Sequence, residues 1–293
     1  MKYRLLLLLT ALIWGAAFVA QRVSNATMGP FAFNATRYAL GTLSVLPLVL
    51  WQRETALRPQ APAWLTLPRA CFFLGLVLFA GTTFQQVGMI YTTAGKAGFI
   101  TALYIVAVPL LGFFIGQPFR LLHLVGLGLA MLGLYLLAFQ SGAPLNFGDL
   151  LELCGVLFWG FSILGISAFV KYYASIVLAF GQLAVCTLLN FAAMFVTGES
   201  LTTAMIMQTL LPILYAGIMS SGVAYTLQVF GQAKVPPTEA SLLLSMEMVF
   251  GALSGYLLLG ETMNTRELLG CALMACGIFA AQIPSRILWQ RQT

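Results

Sequence analysis

The 293-residue chain is 60% hydrophobic and 8% charged, with a mean hydropathy of +0.95. A soluble domain keeps about a quarter of its residues charged, so this composition excludes a soluble globular protein and makes lipid the main solvent. The net charge of +6 does not point to nucleic acid, because the cations cluster at the ends of apolar runs, where they set orientation in a membrane.

Apolar runs predict ten helices, at 5–21, 31–51, 70–91, 96–116, 121–139, 149–170, 175–197, 207–230, 238–259 and 267–284. Each approaches the roughly 20 residues needed to cross a bilayer. Turn formers separate them, among them Asn25 to Pro30, Thr92 to Gly95 and Pro236-Pro237. The first run admits two readings. Lys2 and Arg4 before it, and Ala16, Ala17 and Ala20 within it, fit a cleaved signal peptide. A retained helix is preferred, because its Trp14-Gly15 pair recurs later in the chain.

That recurrence belongs to a wider pattern. Trp14-Gly15 matches Trp159-Gly160, Gln86 matches Gln228, and Gly126 and Gly133 match Gly270 and Gly277, at offsets of 145, 142 and 144 residues. Three landmarks in one order and nearly one register predict two repeats of five helices, 1–140 and 149–284, with a tail at 285–293. Five is odd, so the second repeat enters the membrane inverted. The charges agree. With both termini in the cytoplasm, the inner side collects Lys2, Arg4, Arg53, Arg58, Arg69, Arg120, Lys171, Lys234, Arg286 and Arg291, and the outer side only Arg22, Lys96 and Arg266. The expected architecture is therefore an all-α integral membrane protein of ten transmembrane helices, arranged as a 5+5 inverted-topology repeat. Inverted repeats suit a carrier whose central site opens first to one side and then to the other. A duplicated scaffold without transport is the alternative.

Polar residues inside apolar runs mark the candidate site, since hydrocarbon cannot satisfy an amide or hydroxyl. Ser221, Tyr225, Gln228 and Gln232 share one face of helix 8, and Thr10, Trp14, Phe18 and Gln21 one face of helix 1. Helix 3 offers Thr82 and Gln86, with Thr83 and Gln85 beside them, and helix 4 offers Thr101 and Tyr104. Such faces either glue helices together or line a cavity. Two ionisable residues lie deep. Arg37, a third of the way into helix 2, either serves the site or snorkels to the outer surface. Glu247, in mid-helix 9, is too short to snorkel; it is open to a neutral hydrogen-bonded role, pairing with a cation such as Arg37, or proton exchange. The paired glycines of helices 5 and 10 predict close packing, or a contact in a homodimer.

Catalytic and metal motifs are missing. His123 has no Cys/His/acid cluster around it, the five cysteines lie in apolar runs without ligand spacing, and GxSxG, HExxH and Walker A sequences are absent. The residues predict no cofactor and no enzyme, and exclude transport driven by the chain's own ATP hydrolysis. An intramembrane enzyme or a lipid-binding scaffold stands as the different-class alternative.

At "LIWGAAF", "RYALGTLSVLPL", "YTTAGKAGFITALYIVAVPLL", "GQAKVPPTEASLLLSMEMVFG" and "GYLLLGE" the sequence resembles the EamA-type transporters of the drug/metabolite transporter superfamily. The resemblance spans nearly the whole chain. It implies the ten-helix inverted repeat, a bacterial inner-membrane location and a central cavity. It further implies both termini in the cytoplasm and export of amino acids, other metabolites or toxic compounds. Protons enter as a coupling ion only through Glu247, and the residues leave a facilitator and a proton-coupled antiporter both open. The pattern departs from the family at Gly116-Gln117, where the second half has Gly260-Glu261, and at Glu247-Met248, where a proline is missing although Pro109 stands in helix 4. The missing proline predicts a straighter helix 9. The residues expected to line the cavity are Trp14, Gln86, Tyr104, Trp159, Tyr225, Gln228 and Glu247, with Trp14 and Trp159 as facing aromatic walls.

Overall fold

The computed structural model describes residues 1–51, 59–92, 94–116, 121–138, 146–259 and 265–282. Arg53, Arg58, Gln117, Arg120, Gly260-Glu261 and the tail at 285–293, with Arg286 and Arg291, lie outside the described residues, and only the backbone of Lys96 and His123 is described. The described residues are helical, with no strand among them.

The first half comprises α1 (Lys2–Asn25), α2 (Pro30–Trp51), α3 (Leu67–Tyr91), α4 (Ala94–Ala102), α5 (Tyr104–Phe114) and α6 (Leu121–Ala138). The second comprises α7 (Phe147–Phe169), α8 (Ser175–Thr197), α9 (Thr203–Gln208), α10 (Leu210–Leu214), a π-helix (Tyr215–Ala224), α11 (Tyr225–Gln232), α12 (Pro237–Leu244), α13 (Glu247–Leu259) and α14 (Thr265–Gln282). Among the described residues six stretches are long and apolar enough to span a membrane: α1, α3, the α4–α5 rod, α7, α8 and the rod from Leu210 to Gln232. Shorter apolar segments, Leu124–Gly133 and Leu268–Gly277, lie in α6 and α14.

Two rods are broken at matching places. Between α4 and α5 the backbone tightens, with Leu103 N–H donating to Ile100 O at 3.0 Å and Val106 N–H to Leu103 O at 2.9 Å. Between α12 and α13, Met246 N–H donates to Leu243 O at 3.3 Å and Met248 N–H to Ser245 O at 3.2 Å. Three-residue turns replace four-residue ones at both joints. The expectation of a straighter helix 9 is therefore corrected. Ser241 and Ser245 hydroxyls donate to Thr238 O and Leu242 O, both at 2.9 Å, and such back-bonding loosens a helix without proline.

The packing of the rods comes in exchanged pairs. Rod α6 lies along α14 and α2 along α8; α3 packs on α7 and α8, while the Leu210–Gln232 rod packs on α1 and α2. The Trp-Gly pairs show why the contacts are close. A Cβ on Gly15 of α1 would meet Glu247 O and Gly251 N of α13 at 2.6 Å each. A Cβ on Gly160 of α7 would meet Leu111 of α5 at 3.0 Å. In each half the glycine lets a rod press onto the broken rod of the other half, and the preceding tryptophan turns inward. At one end of the bundle, Arg4 of α1 forms a two-pronged ion pair with Glu239 of α12. At the same end Tyr173 OH donates to Leu65 O. At the opposite end Ala32 N–H donates to Glu199 at 2.8 Å.

A central aromatic cavity with unpaired charges

One cavity lies where the two broken rods meet α1, α2, α3, α7 and the π-helix. Its wall includes Trp14, Phe18, Gln21, Arg37, Gln85, Thr101, Tyr104, Trp159, Ser220, Tyr225 and Glu247. Successive turns of α1 supply Trp14, Ala17, Phe18 and Gln21 on one face. The joints of the broken rods supply Tyr104 and Glu247, each the first residue of its second segment. These two residues are 143 positions apart, so they occupy corresponding places in the two halves and face one another across the site.

The aromatic wall is an ordered chain. Trp14 Nε1 donates to Ser220 O at 3.2 Å, and its ring lies 4.8 Å from that of Tyr225 at a tilt of 57°. The hydroxyls of Tyr225 and Tyr38 are 3.3 Å apart. Arg37 lies over the Tyr38 ring at 4.7 Å and the Phe33 ring at 5.4 Å, within cation–π range. Trp159, on α7, is buried with its Nε1 unpartnered.

The charges are not neutralised. Arg37 is 3% exposed, and its Nε and Nη2 have no hydrogen-bond partner. Glu247 is 4% exposed, and its Oε1 likewise has none. Among the described residues the one ion pair within 4.0 Å is Arg4–Glu239, so Arg37 and Glu247 share a cavity without closing on each other. Arg37 does not snorkel. A buried, unpaired charge at such depth costs about a few kcal/mol or more, and a ligand of opposite charge would offset that cost. The cavity volume is about 30 Å³, room for a few waters but not for an organic molecule.

Of the residues expected at the site, the structure gathers Trp14, Arg37, Tyr104, Trp159, Tyr225 and Glu247 around this cavity. Gln86 and Gln228 stand outside its wall. Gln86 Nε2 donates to Asn25 Oδ1 at 2.6 Å and to Gln21 O at 3.3 Å, tying α3 to the end of α1. Gln228 is buried with Oε1 unpartnered. Gln232 ties α11 to α7 through Ile163 O and Ser167. The expected shared face of Ser221, Tyr225, Gln228 and Gln232 is thus only partly a cavity face. The π-helix supplies the reason: Ser221 Oγ donates five residues back, to Ala216 O at 2.8 Å, and the wider turn brings Ser220 into the wall instead. Gln21 and Gln85 take the places expected of the other glutamines. One residue escaped the sequence reading: Glu152 of α7, 1% exposed, which stands behind Thr101. It lies within the first turn of the predicted run at 149–170, where a carboxylate reads as a helix-start residue, so the depth signal that singled out Glu247 did not apply.

A model of the EamA-like transporter family matches the chain twice, over residues 1–139 and 146–281. An uncharacterised transporter of Archaeoglobus fulgidus is 31% identical over 281 residues, covering 94% of this chain and 84% of that protein. The uncharacterised transporter YoaV of Bacillus subtilis is 22% identical over 283 residues, covering 95% and 96%. A crystal structure with 18% sequence identity superposes with a TM-score of 0.81 over 98% of this chain and 99% of the other, a likeness of fold.

Proposed function

The chain belongs to the EamA-like transporter family, and from that premise we propose that it is a secondary exporter of small zwitterionic molecules, working by alternating access between two inverted five-helix repeats, 1–140 and 149–284. The repeats sit in a bacterial inner membrane with both termini cytoplasmic. The observation that carries the substrate class is the pairing of opposite, unpartnered charges on one aromatic cavity. Arg37 takes a carboxylate, for which a guanidinium offers a planar fork of donors. Glu247 takes an ammonium. Trp14, Trp159, Tyr104 and Tyr225 hold the apolar body between them. The exchanged packing of rods supports the inverted repeat, because each contact made by one half has a counterpart made by the other. The cavity is too small to hold a substrate as it stands, so loading requires the halves to part, and the joints at Leu103 and Ser245–Met246 are where the rods bend.

A ligand-stabilisation screen of the purified protein tests the substrate class, since binding to the folded state raises its melting temperature. Apolar and aromatic amino acids are expected to stabilise it. Their amides, which lack the carboxylate, and their N-acetyl forms, which lack the ammonium, are not. Arg37→Gln is expected to abolish the response while leaving the unliganded protein folded. Equal stabilisation by amides and free amino acids would remove Arg37 from recognition. Counterflow of a labelled responder into proteoliposomes then tests transport itself; binding without flux would leave a scaffold.

A further inference from the structure

Behind the cavity wall a second buried carboxyl is wired to it. Glu152 Oε2 accepts from the Thr101 hydroxyl at 3.2 Å, and Thr101 Oγ1 accepts from Gln85 Nε2 at 3.0 Å. Thr101 and Gln85 line the cavity; Glu152 does not. Its other oxygen, Oε1, is buried without a partner. Space for this carboxyl is built into α3: at Gly88 a Cβ would fall 3.0 Å from Oε1 and 3.1 Å from Cγ. The charged groups on the surrounding elements are few. On α7 itself Asp149, one turn nearer the helix start, binds Asn146 N–H and the Thr92 hydroxyl. Rod α3 contributes Arg69, at its far end and bonded to Trp64 O. Lys96 is the charged residue of α4, in its first turn, and α5 and α11 contain none. Glu239 of α12 is held by Arg4 at the opposite end of the bundle.

We propose that Glu152 is a proton-binding site that sets the hydrogen-bonding character of the cavity through Thr101 and Gln85. The proposal rests on the cavity being the substrate site. With Glu152 ionised, its oxygen accepts from Thr101, Thr101 accepts from Gln85, and the Gln85 carboxamide turns its N–H groups away from the cavity. At lowered pH a hydronium ion gives up one proton to Oε2 and leaves as water, which makes that oxygen a donor. Thr101 Oγ1 then accepts from Glu152 and donates onward, and Gln85 answers by presenting its carbonyl to Thr101 and its N–H groups to the cavity. No bond other than the carboxyl O–H forms. One proton thereby converts a wall that accepts hydrogen bonds into one that donates them, which favours the carboxylate end of a substrate.

Infrared difference spectra of the protein in lipid nanodiscs, recorded as pH is lowered, test this directly. Protonation of a carboxylate creates a carboxylic C=O band. Glu152→Gln is expected to delete one component of that signal, and Glu247→Gln a different one. Thr101→Val, which cannot donate to Glu152, is expected to shift both the frequency and the titration midpoint of the Glu152 component. A Glu152→Gln spectrum identical to wild type, on protein with unchanged circular dichroism, would overturn the proposal. If Glu152→Gln fails to fold, the Thr101→Val shift decides in its place, and its absence counts against the site. In a second arm, stabilisation by L-phenylalanine is expected to depend on pH in wild type and to lose that dependence in Glu152→Gln. A wild type that titrates at Glu152 but never responds to phenylalanine or other amino acids would defeat the substrate reading and leave the proton site standing.

Discussion

The carbonyl oxygen of Gly270 lies 2.5 Å from where a Cβ on Gly133 would stand, and Gly277 has the same relation to the carbonyl of Gly126 two turns away. The two glycine faces of α6 and α14 are thus occupied by each other within one chain. Gly133→Ala forces these backbones apart, and overpacking of this kind costs about 1–3 kcal/mol. The expected result is a lowered melting temperature in detergent, with Gly133→Leu worse. The control is Gly128→Ala on the same helix, where nothing lies within 4 Å of the added methyl; it should be neutral. Equal behaviour of Gly133→Ala and Gly128→Ala would mean that the close crossing is not needed.

The two tryptophans are expected to differ although their sequence contexts match. Trp14 is hydrogen-bonded to Ser220 O and packed on Tyr225, so it joins α1 to the π-helix as well as lining the cavity. Trp159 has a free indole N–H. Trp14→Phe should lose about 1 kcal/mol of stability with its hydrogen bond and also weaken binding. Trp159→Phe should keep stability and change only ligand affinity. Thermal unfolding with and without an amino-acid ligand separates the two. If both variants bind like wild type, the tryptophans are packing elements alone.

Much of this arrangement was legible in the sequence. Apolar runs located α1, α3, α7 and α8 because a membrane span must be continuous in hydropathy, and the Trp-Gly pairs marked two close helix contacts because close packing needs glycine. The broken rods and the π-helix were not legible. Hydropathy is blind to whether a backbone N–H bonds three, four or five residues back, and at Ser245 that choice depends on a hydroxyl competing for a carbonyl. The glutamines were misassigned for a related reason. Gln85 and Gln86 are adjacent and point to different neighbours, and only the packing of α1 decides that Gln86 meets Asn25 while Gln85 meets the cavity. Arg37 had two sequence readings, and the positions of Phe33 and Tyr38 removed the snorkelling one.

Orientation can be checked at residues that the fold places at opposite ends. Tyr173 bonds to Leu65, and Glu199 to Ala32, so Lys171 and Ser200 mark the two ends of α8. On a cysteine-free background, Lys171→Cys should label with an impermeant maleimide only after the membrane is opened, and Ser200→Cys should label in intact cells. Reporter fusions at Thr293 and in the 53–68 loop should report the cytoplasm. An external report at Thr293 would remove the ten-span arrangement with both termini inside.

How the proposed transport is driven is tested at Glu247. It begins α13 at the joint of a broken rod, faces Tyr104, and lines the cavity with an oxygen that no protein group satisfies. Two occupants can satisfy it in turn. In the proposed exporter a substrate ammonium would pair with the carboxylate and a proton would neutralise it once the ammonium has left, exchanging one proton for one substrate. Glu247→Gln keeps the size and most hydrogen bonding but neither titrates nor attracts a cation. The variant is expected to fold, to exchange substrate weakly down a substrate gradient, and to lose uphill movement driven by a pH gradient across proteoliposomes. Arg37→Gln should differ, losing downhill and uphill movement together, because it removes the carboxylate contact and not the exchangeable proton. Wild-type flux that ignores a pH gradient would sink proton coupling and leave a facilitator. A Glu247→Gln protein that fails to fold would assign the carboxyl to structure, and one that remains fully coupled would move the coupling proton elsewhere, with Glu152 a buried carboxyl connected to the same cavity through Thr101.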